Sequence, residues 1–511
     1  MSAGKIGARQ IGLLLGPLVF AVTALSTPPA GMGGEAWLVA GLVIWMATWW
    51  MTEALPLTAT AMLPFLILPL GGVMTAPETA SAYYAPILFL LLGGAFIALA
   101  IERTGLHRRL SLAILKTIGT SGGQTRLLLA FMISAALLSM LISNTSTALI
   151  MMPMALAVLA GGSAARPLPL PSAQSLPEIV PGGSEREQAV RSKPSTDVES
   201  APEQEGLAGA LPMGIAFAAT IGGLGTIVGS PTNGIAVQLL DNMIGLEISF
   251  ARWMAFGLPI VIISVPLAGL IIARVQRVAA HPFDLSAARD SIDDQRPWSS
   301  AEKRLVPIVA ITFVLWMTRQ WVAPYLPERS WTDGTIAVIA SLALFLLPDG
   351  TGRPLLVWRE ADRAPWGVIM MFGGGLALAA GMQASGLADW LGNALLPLEA
   401  VPLMLMALAI VAMVVLVTEF ASNVATASAI IPVVASLAAA LGLGEQAILI
   451  AMPAALAASW GFILPAGTGP NAIAWATGRL RIQRLVSAGL VLDLFGIALI
   501  VGMVWAVASL G

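Results

Sequence analysis

Two polar pairs stand inside long apolar stretches: Ser143-Asn144 within 127–160 and Ser422-Asn423 within 400–440. Further along each half lies a pentapeptide rich in Gly and Pro, Gly229-Ser230-Pro231-Thr232-Asn233 and Gly467-Thr468-Gly469-Pro470-Asn471. Gly and Pro inside an otherwise helical run break it, which frees carbonyls on one side and amides on the other. Carbonyls with Asn, Ser and Thr oxygens suit a small hard cation, and amides at a half-helix N-terminus suit an anion. One Ser-Asn turn paired with one break in each half gives two cation sites flanking one anion site. Ser and Asn can also merely cap turns, and Gly can merely let helices pack closely. For a single motif that reading is preferred, and repetition of the whole pairing reverses the preference.

Covalent chemistry has little to work with. There is no cysteine, so thiolate catalysis, disulfides and Cys-ligated metals are excluded, and two histidines leave little for a zinc site. His107 falls in a basic interfacial loop and His281 in a polar one, both read as solvated. A nucleophile, base or metal cluster in a membrane cavity is not found, so an enzyme is not expected. The net charge of −2 offers no basic stripe to nucleic acid. Glu53 and Glu419 are read as the only ionisable residues within apolar runs. Glu53 is placed at a helix end, while Glu419 precedes the second Ser-Asn pair and has Met140 as its counterpart in the first half. Without carboxylates paired between the halves, Na⁺ is preferred to H⁺ as a coupling ion. No intramembrane Arg is available to clamp an anion, which leaves hydroxyls, amides and helix dipoles.

The elements that carry these motifs must sit in lipid. Of 511 residues 57% are hydrophobic and 11% charged, against about 25% charged in an average soluble chain. A helix crosses the hydrocarbon with about 20 apolar residues. Runs near 10–28, 36–52, 56–74, 85–102, 207–240, 250–273, 304–322, 333–348, 365–387, 445–478 and 485–510 supply eleven. The first, although it follows Lys5 and Arg9 like a signal peptide, is read as an uncleaved helix. The stretches 127–160 and 400–440 are read as re-entrant hairpins. With that choice and a cytoplasmic N-terminus, 23 of the 26 Lys and Arg residues fall inside, and only Arg252, Arg319 and Arg329 fall outside. The segment 388–399, with Asp389 and Glu399 but no basic residue, then lies outside. Residues 163–206, rich in Pro, Ser and Glu, read as a disordered cytoplasmic insertion, most simply a tolerated linker.

The chain is also written twice. Gly93-Gly94 returns as Gly373-Gly374, Ser143-Asn144 with Pro153 as Ser422-Asn423 with Pro432, and GSPTN as GTGPN. The spacing shortens only at the last pair, by about the length of the insertion. Because the first hairpin opens inside and the second outside, the copies have opposite topology. That arrangement marks secondary transporters with a site near the midplane. A dianion entering a negative interior costs about 4.6 kcal/mol per 100 mV, so at least two Na⁺ are needed to cancel it.

At these residues the chain resembles the divalent-anion/sodium symporter family, also called solute carrier family 13. The stretches WWMTEALPLTATAMLPFLILPLGGV (49–73), LLGGAFIALAIERTGLHRRL (91–110), TEFASNVATASAIIP (418–432) and SWGFILPAGTGPNAIA (459–474) carry the resemblance in the expected order. It covers nearly the whole chain outside 163–206. The resemblance implies an all-α polytopic protein of about 11 transmembrane helices plus two re-entrant hairpins, in inverted repeats, working as an elevator and as a homodimer in the plasma (inner) membrane. Residues 1–80 and 249–360 would be scaffold. The first transport repeat would be 81–160 with 207–248, the insertion 161–206, and the second repeat with the last helix 361–511. By motif, one Na⁺ site would use Ser139, Ser143, Asn144 and Gly229, and the other Thr418, Ala421, Asn423 and Gly467. The anion would meet Asn144, Thr145, Ser230, Ser422, Asn423 and Thr468. Val424 and Gly469 depart from the family pattern, where Thr and Pro are common. The implied activity is Na⁺-coupled symport of C4-dicarboxylates such as succinate, malate or fumarate. A sulfate, oxyanion or citrate carrier, or a Na⁺-independent exchanger, is the alternative.

Overall fold

The computed structural model describes residues 7–119, 123–162, 205–281, 283 and 297–510, and these are helical throughout apart from turns and one isolated bridge. The α-helices in order are α1 Ala8–Leu25, α2 Gly34–Thr52, α3 Leu57–Thr60, α4 Leu63–Leu70, α5 Ala76–Ala82, α6 Pro86–Thr104, α7 Leu106–Ile114, α8 Gln124–Ser139, α9 Asn144–Gly162, α10 Leu207–Gly223 and α11 Pro231–Ile244. They continue as α12 Phe250–Val275, α13 Ser300–Val322, α14 Asp333–Leu346, α15 Trp358–Ala361, α16 Trp366–Ala384, α17 Leu387–Leu395, α18 Leu403–Phe420, α19 Asn423–Ala440, α20 Ile448–Ala457, α21 Gly469–Ala476 and α22 Ile482–Ala508. Eight helices among the described residues are long and apolar enough to cross a membrane. Their burial differs sharply: 72% of the Asn423–Ala440 window is buried against 17% of Ala8–Leu25. The second arm of the later hairpin therefore sits inside the protein, while α1 shows most of its sides outward.

Several elements differ from the sequence expectation. The run 56–74 is not one helix, because Pro56 and Pro64 divide it into α3 and α4 and Gly71-Gly72 ends it. Prolines lack the amide that a continuous helix needs. The segment 388–399, given no element by the sequence, holds amphipathic α17 and the 3₁₀ turn after it. His107 belongs to α7, where its Nδ1 lies 3.2 Å from the Ile101 carbonyl, rather than to a solvated loop. Of the insertion, 163–204 lie outside the described residues, whereas Glu205 and Gly206 are part of the fold. Gly206 donates its amide to Gln276 O at 2.7 Å, and Glu205 pairs with Arg481 at 3.2 Å and Arg484 at 2.5 Å.

The runs 207–240 and 445–478 are each interrupted. Pro231 and Pro470 stand in the first turn of α11 and α21, the position where a missing amide costs nothing. The second interruption is longer, since α20 stops at Ala457 and α21 starts at Gly469, while α10 runs to Gly223 and α11 starts at Pro231.

The second hairpin begins and ends on common ground, and the first begins where α10 does. Gln124, opening α8, donates to the His281 carbonyl at 2.8 Å, and Glu205, just before α10, lies 3.6 Å from His281 Nε2. Glu399, Val401 and Leu403 before α18 share a hollow with Leu441, Leu443 and Gln446 after α19. Ion pairs tie down basic residues of α6 and α7. Arg103 meets Asp349, and Arg109 meets Glu302 at 2.8 Å.

Candidate functional site

Each Ser-Asn pair divides its labour in the same way. Ser143 and Ser422 cap the helices that follow, accepting the amides of Ser146 and Ala425, both at 3.2 Å. Their hydroxyls thus do what a helix start requires. The asparagines turn back instead. Asn144 meets the hydroxyl of Ser139 at 2.7 Å, and Asn423 that of Thr418 at 2.9 Å, each five residues earlier on the incoming arm. Those hydroxyls also reach the broken helix: Ser139 Oγ lies 2.6 Å from Ala219 O, and Thr418 Oγ1 lies 2.8 Å from Ala458 O. The two repeat-related stretches therefore build the same three-group cluster, hydroxyl, amide and a backbone carbonyl of the broken helix.

Around Asn144 the oxygens crowd. Its amide faces Ser139 Oγ at 2.7 Å and the carbonyls of Ala219 and Gly229, both at 3.2 Å. The amide nitrogen is the end that satisfies these oxygens. Only glycine allows the approach, because a Cβ on Gly223 would overlap Asn144 Oδ1, and one on Gly229 would come within 2.6 Å of the Gly223 carbonyl. Ala421 and Gly467 flank the second cluster, and Gly467 lies close to Glu419.

Ser230 and Thr468 are the N-caps of α11 and α21, both almost fully buried. Thr468 accepts the Asn471 amide at 3.3 Å. Thr145 is buried with its hydroxyl unpartnered and packs on Gly469 at the start of α21, so the first hairpin touches the second broken helix. Helix α19 packs in turn on α11. Four half-helix N-termini, those of α9, α11, α19 and α21, thus belong to one packed unit, and each offers unpaired amides.

The structure adds residues that sequence reasoning did not assign. Asn233 and Asn471 close their breaks from within: Asn233 Nδ2 donates to Gly223 O and Thr226 O, both at 2.8 Å, and Asn471 Nδ2 donates to Leu464 O at 3.2 Å. In both, the amide oxygen is buried and unpartnered. Their place in GSPTN and GTGPN was the available signal. Unpartnered buried hydroxyls also recur at matching positions, Thr220 with Ser459 and Thr147 with Thr426. Buried polar atoms rarely lack a partner, and here the gaps repeat with the sequence. Thr226 donates to Met140 O at 2.6 Å, tying the first break to its hairpin. In the second half the tie has opposite polarity. Glu419 accepts the amides of Ile463 and Leu464, both at 2.9 Å.

One expectation is corrected. Glu53 and Glu419 are not the only ionisable residues in apolar runs, because Asp493 stands in the middle of α22, 3% exposed. Its flanking apolar sequence concealed it in the reading of the last span.

The model of the sodium:sulfate symporter transmembrane region matches residues 8–510. The chain belongs to that family. A sodium-dependent dicarboxylate transporter, SdcS, from Staphylococcus saprophyticus is 36% identical over 97% of this chain and 91% of its own. SdcS from Staphylococcus aureus is 36% identical over 99% of this chain and 92% of its own. A looser likeness, too distant to add to the assignment, is to the solved Alcanivorax borkumensis YdaH transporter, with a TM-score of 0.48 and 15% identity over 98% of this chain and 96% of that one. Membership makes the chain an integral membrane transporter and not an enzyme.

Proposed function

We propose that this protein is a Na⁺-coupled symporter that carries a C4-dicarboxylate such as succinate, malate or fumarate. The observation that carries the reading is the duplicated cluster, Ser139–Asn144–Ala219 O in one half and Thr418–Asn423–Ala458 O in the other. Neutral oxygens converging in a buried place are donors for a hard cation. Ser139, Ser143, Asn144 and Gly229 form one Na⁺ site in this reading, and Thr418, Ala421, Asn423 and Gly467 the other. Because Ser143 Oγ is engaged as a cap, its contribution is a backbone one. The anion lies between, met by Asn144, Thr145, Ser230, Ser422, Asn423 and Thr468 and by the amides of the half-helices. The relatives named as sodium-dependent dicarboxylate transporters support that substrate class.

The two ends of the second hairpin share one hollow, which supports re-entrance. The second hairpin opens to the opposite side in this reading. Asn242, near the end of α11, accepts from Gln383 near the end of α16, which leads toward Glu399. Inverted repeats follow, with 81–160 and 207–248 as the first and 361–511 as the second. Residues 1–80 and 249–360 are the scaffold of a homodimer against which the repeats move as an elevator. The N-terminus is cytoplasmic, on the side where the basic loops cluster.

Uptake of radiolabelled succinate into proteoliposomes tests the function, with Na⁺, Li⁺ or K⁺ gradients and with sulfate and citrate as competitors. Accumulation driven by Na⁺ and competed by malate and fumarate is expected. Uptake indifferent to Na⁺ overturns the coupling, and uptake of sulfate in place of succinate overturns the substrate.

A further inference from the structure

The four half-helix starts around the anion are not alike. Matching GSPTN to GTGPN sets Gly469 against Pro231, the first residues of α21 and α11. Matching Ser143-Asn144 to Ser422-Asn423 sets Thr145 against Val424, each the second residue of its helix. Helix α9 packs on α21, and α19 packs on α11. One diagonal therefore carries Thr145 with Gly469, and the other carries Val424 with Pro231.

The first diagonal is polar. Thr145 is 7% exposed with its hydroxyl unpartnered, and a Cβ on Gly469 would lie 2.4 Å from that hydroxyl oxygen. Gly469 has no positive φ, so a side chain there would disturb the approach of Thr145 rather than strain the backbone. Its amide, at the first position of α21, is one that the helix cannot satisfy from within. Thr468 beside it spends its hydroxyl on the Asn471 amide. A buried, unpartnered hydroxyl aimed at an open helix start gives a carboxylate two kinds of donor. The second diagonal offers neither. Val424 is buried and has no hydroxyl, and Pro231 has no amide. An anion with oxygens on every side, such as sulfate, leaves some of them unpaired there, which costs binding. A dicarboxylate can turn its hydrocarbon flank that way instead.

We propose that Gly469 is a specificity-determining residue: with Thr145 it forms a corner that holds one carboxylate of the substrate, while Val424 and Pro231 form an apolar corner that takes the carbon chain and disfavours sulfate. The proposal rests on the dicarboxylate reading above and deepens it. Succinate uptake into proteoliposomes at saturating Na⁺, with sulfate as competitor, tests it on wild type, Gly469→Ala, Gly469→Pro and Val424→Thr. Alanine and proline add the same Cβ, but only proline removes the amide. The KM for succinate is expected to be about tenfold higher in Gly469→Pro than in Gly469→Ala, with the half-saturating Na⁺ concentration the same in both. Equal KM values overturn the polar corner. Val424→Thr keeps the side chain's shape and adds a hydroxyl to the apolar corner, so sulfate is expected to compete about tenfold better against succinate than in wild type. An unmoved ratio overturns the apolar corner. If either glycine variant is not monodisperse or takes up no succinate, Thr145→Val and Val424→Thr decide together. The first must raise the KM for succinate and the second must strengthen sulfate, and failure of either overturns the proposal. Wild type that carries sulfate in place of succinate overturns the substrate reading itself, before any variant is compared.

Discussion

Asn144 and Asn423 each meet a hydroxyl five residues back, and that hydroxyl also reaches a carbonyl of the broken helix. Substituting Asn144→Ala or Asn423→Ala removes the amide at the centre of its cluster. Each variant is expected to lose succinate uptake by at least 100-fold, about 2.7 kcal/mol, while keeping its elution profile and melting temperature within a few degrees of wild type. Retained uptake in either contradicts the paired-site reading. Gly223→Ala tests the same pocket from the other side, because its methyl would overlap Asn144 Oδ1. Overpacking of this kind costs about 1–3 kcal/mol, and the expected readout is a higher Na⁺ concentration for half-maximal uptake. The asparagines of the hairpins were legible in the sequence because they recur with their neighbours. Asn233 and Asn471 recur as well, yet their work as clasps across the breaks depends on a backbone path that no spacing displays. Asp493 was missed for a different reason, since apolar residues flank it on both sides along α22.

At the scale of elements, the two halves solve one problem with opposite polarity. Thr226 donates to the first hairpin's backbone, whereas Glu419 of the second hairpin receives amides from its break. The cause is length: α20 ends about one turn earlier than α10 relative to the matching Ala219 and Ala458 contacts, and this exposes amides that need an acceptor. Sequence periodicity shows that a run is broken by Pro and Gly but not how many residues unwind on the N-terminal side. The same limitation hid the division of 56–74, where prolines interrupt a run that is apolar throughout. Removing residues 165–203 tests whether that passage serves the transport core. Uptake rate per folded protein is expected to stay within twofold of wild type, measured in proteoliposomes against the same Na⁺ gradient.

Across the whole molecule, charge is sorted. Arg103, Arg109, Arg353 and Arg484 each meet a carboxylate on the face where the basic loops converge. Asp349 is an anchor of that face. Hydrogen bonds from Thr351 and the guanidinium of Arg103 hold its carboxyl well below the usual carboxylate range. A depressed folded value stabilises the fold above the unfolded value, about 3.9, and the benefit fades as pH falls through the folded one. Asp349→Asn is therefore expected to lower the melting temperature by a constant amount from pH 8 to about pH 5, with the gap to wild type closing below about pH 4. A gap that persists undiminished in acid contradicts this account. The lopsided placement of Lys and Arg was the most legible feature of the sequence. Only the folded chain shows which acids answer them.

The meeting of Gln124 and Glu205 at His281 has a practical consequence. Helices α8 and α10 start at one place, which fixes where the chain rejoins the fold before α10, and connections between packed elements are where guest domains are tolerated. A fluorescent protein with neighbouring termini can be spliced there in place of residues 165–203, turning the carrier into an optical gauge of its own stroke.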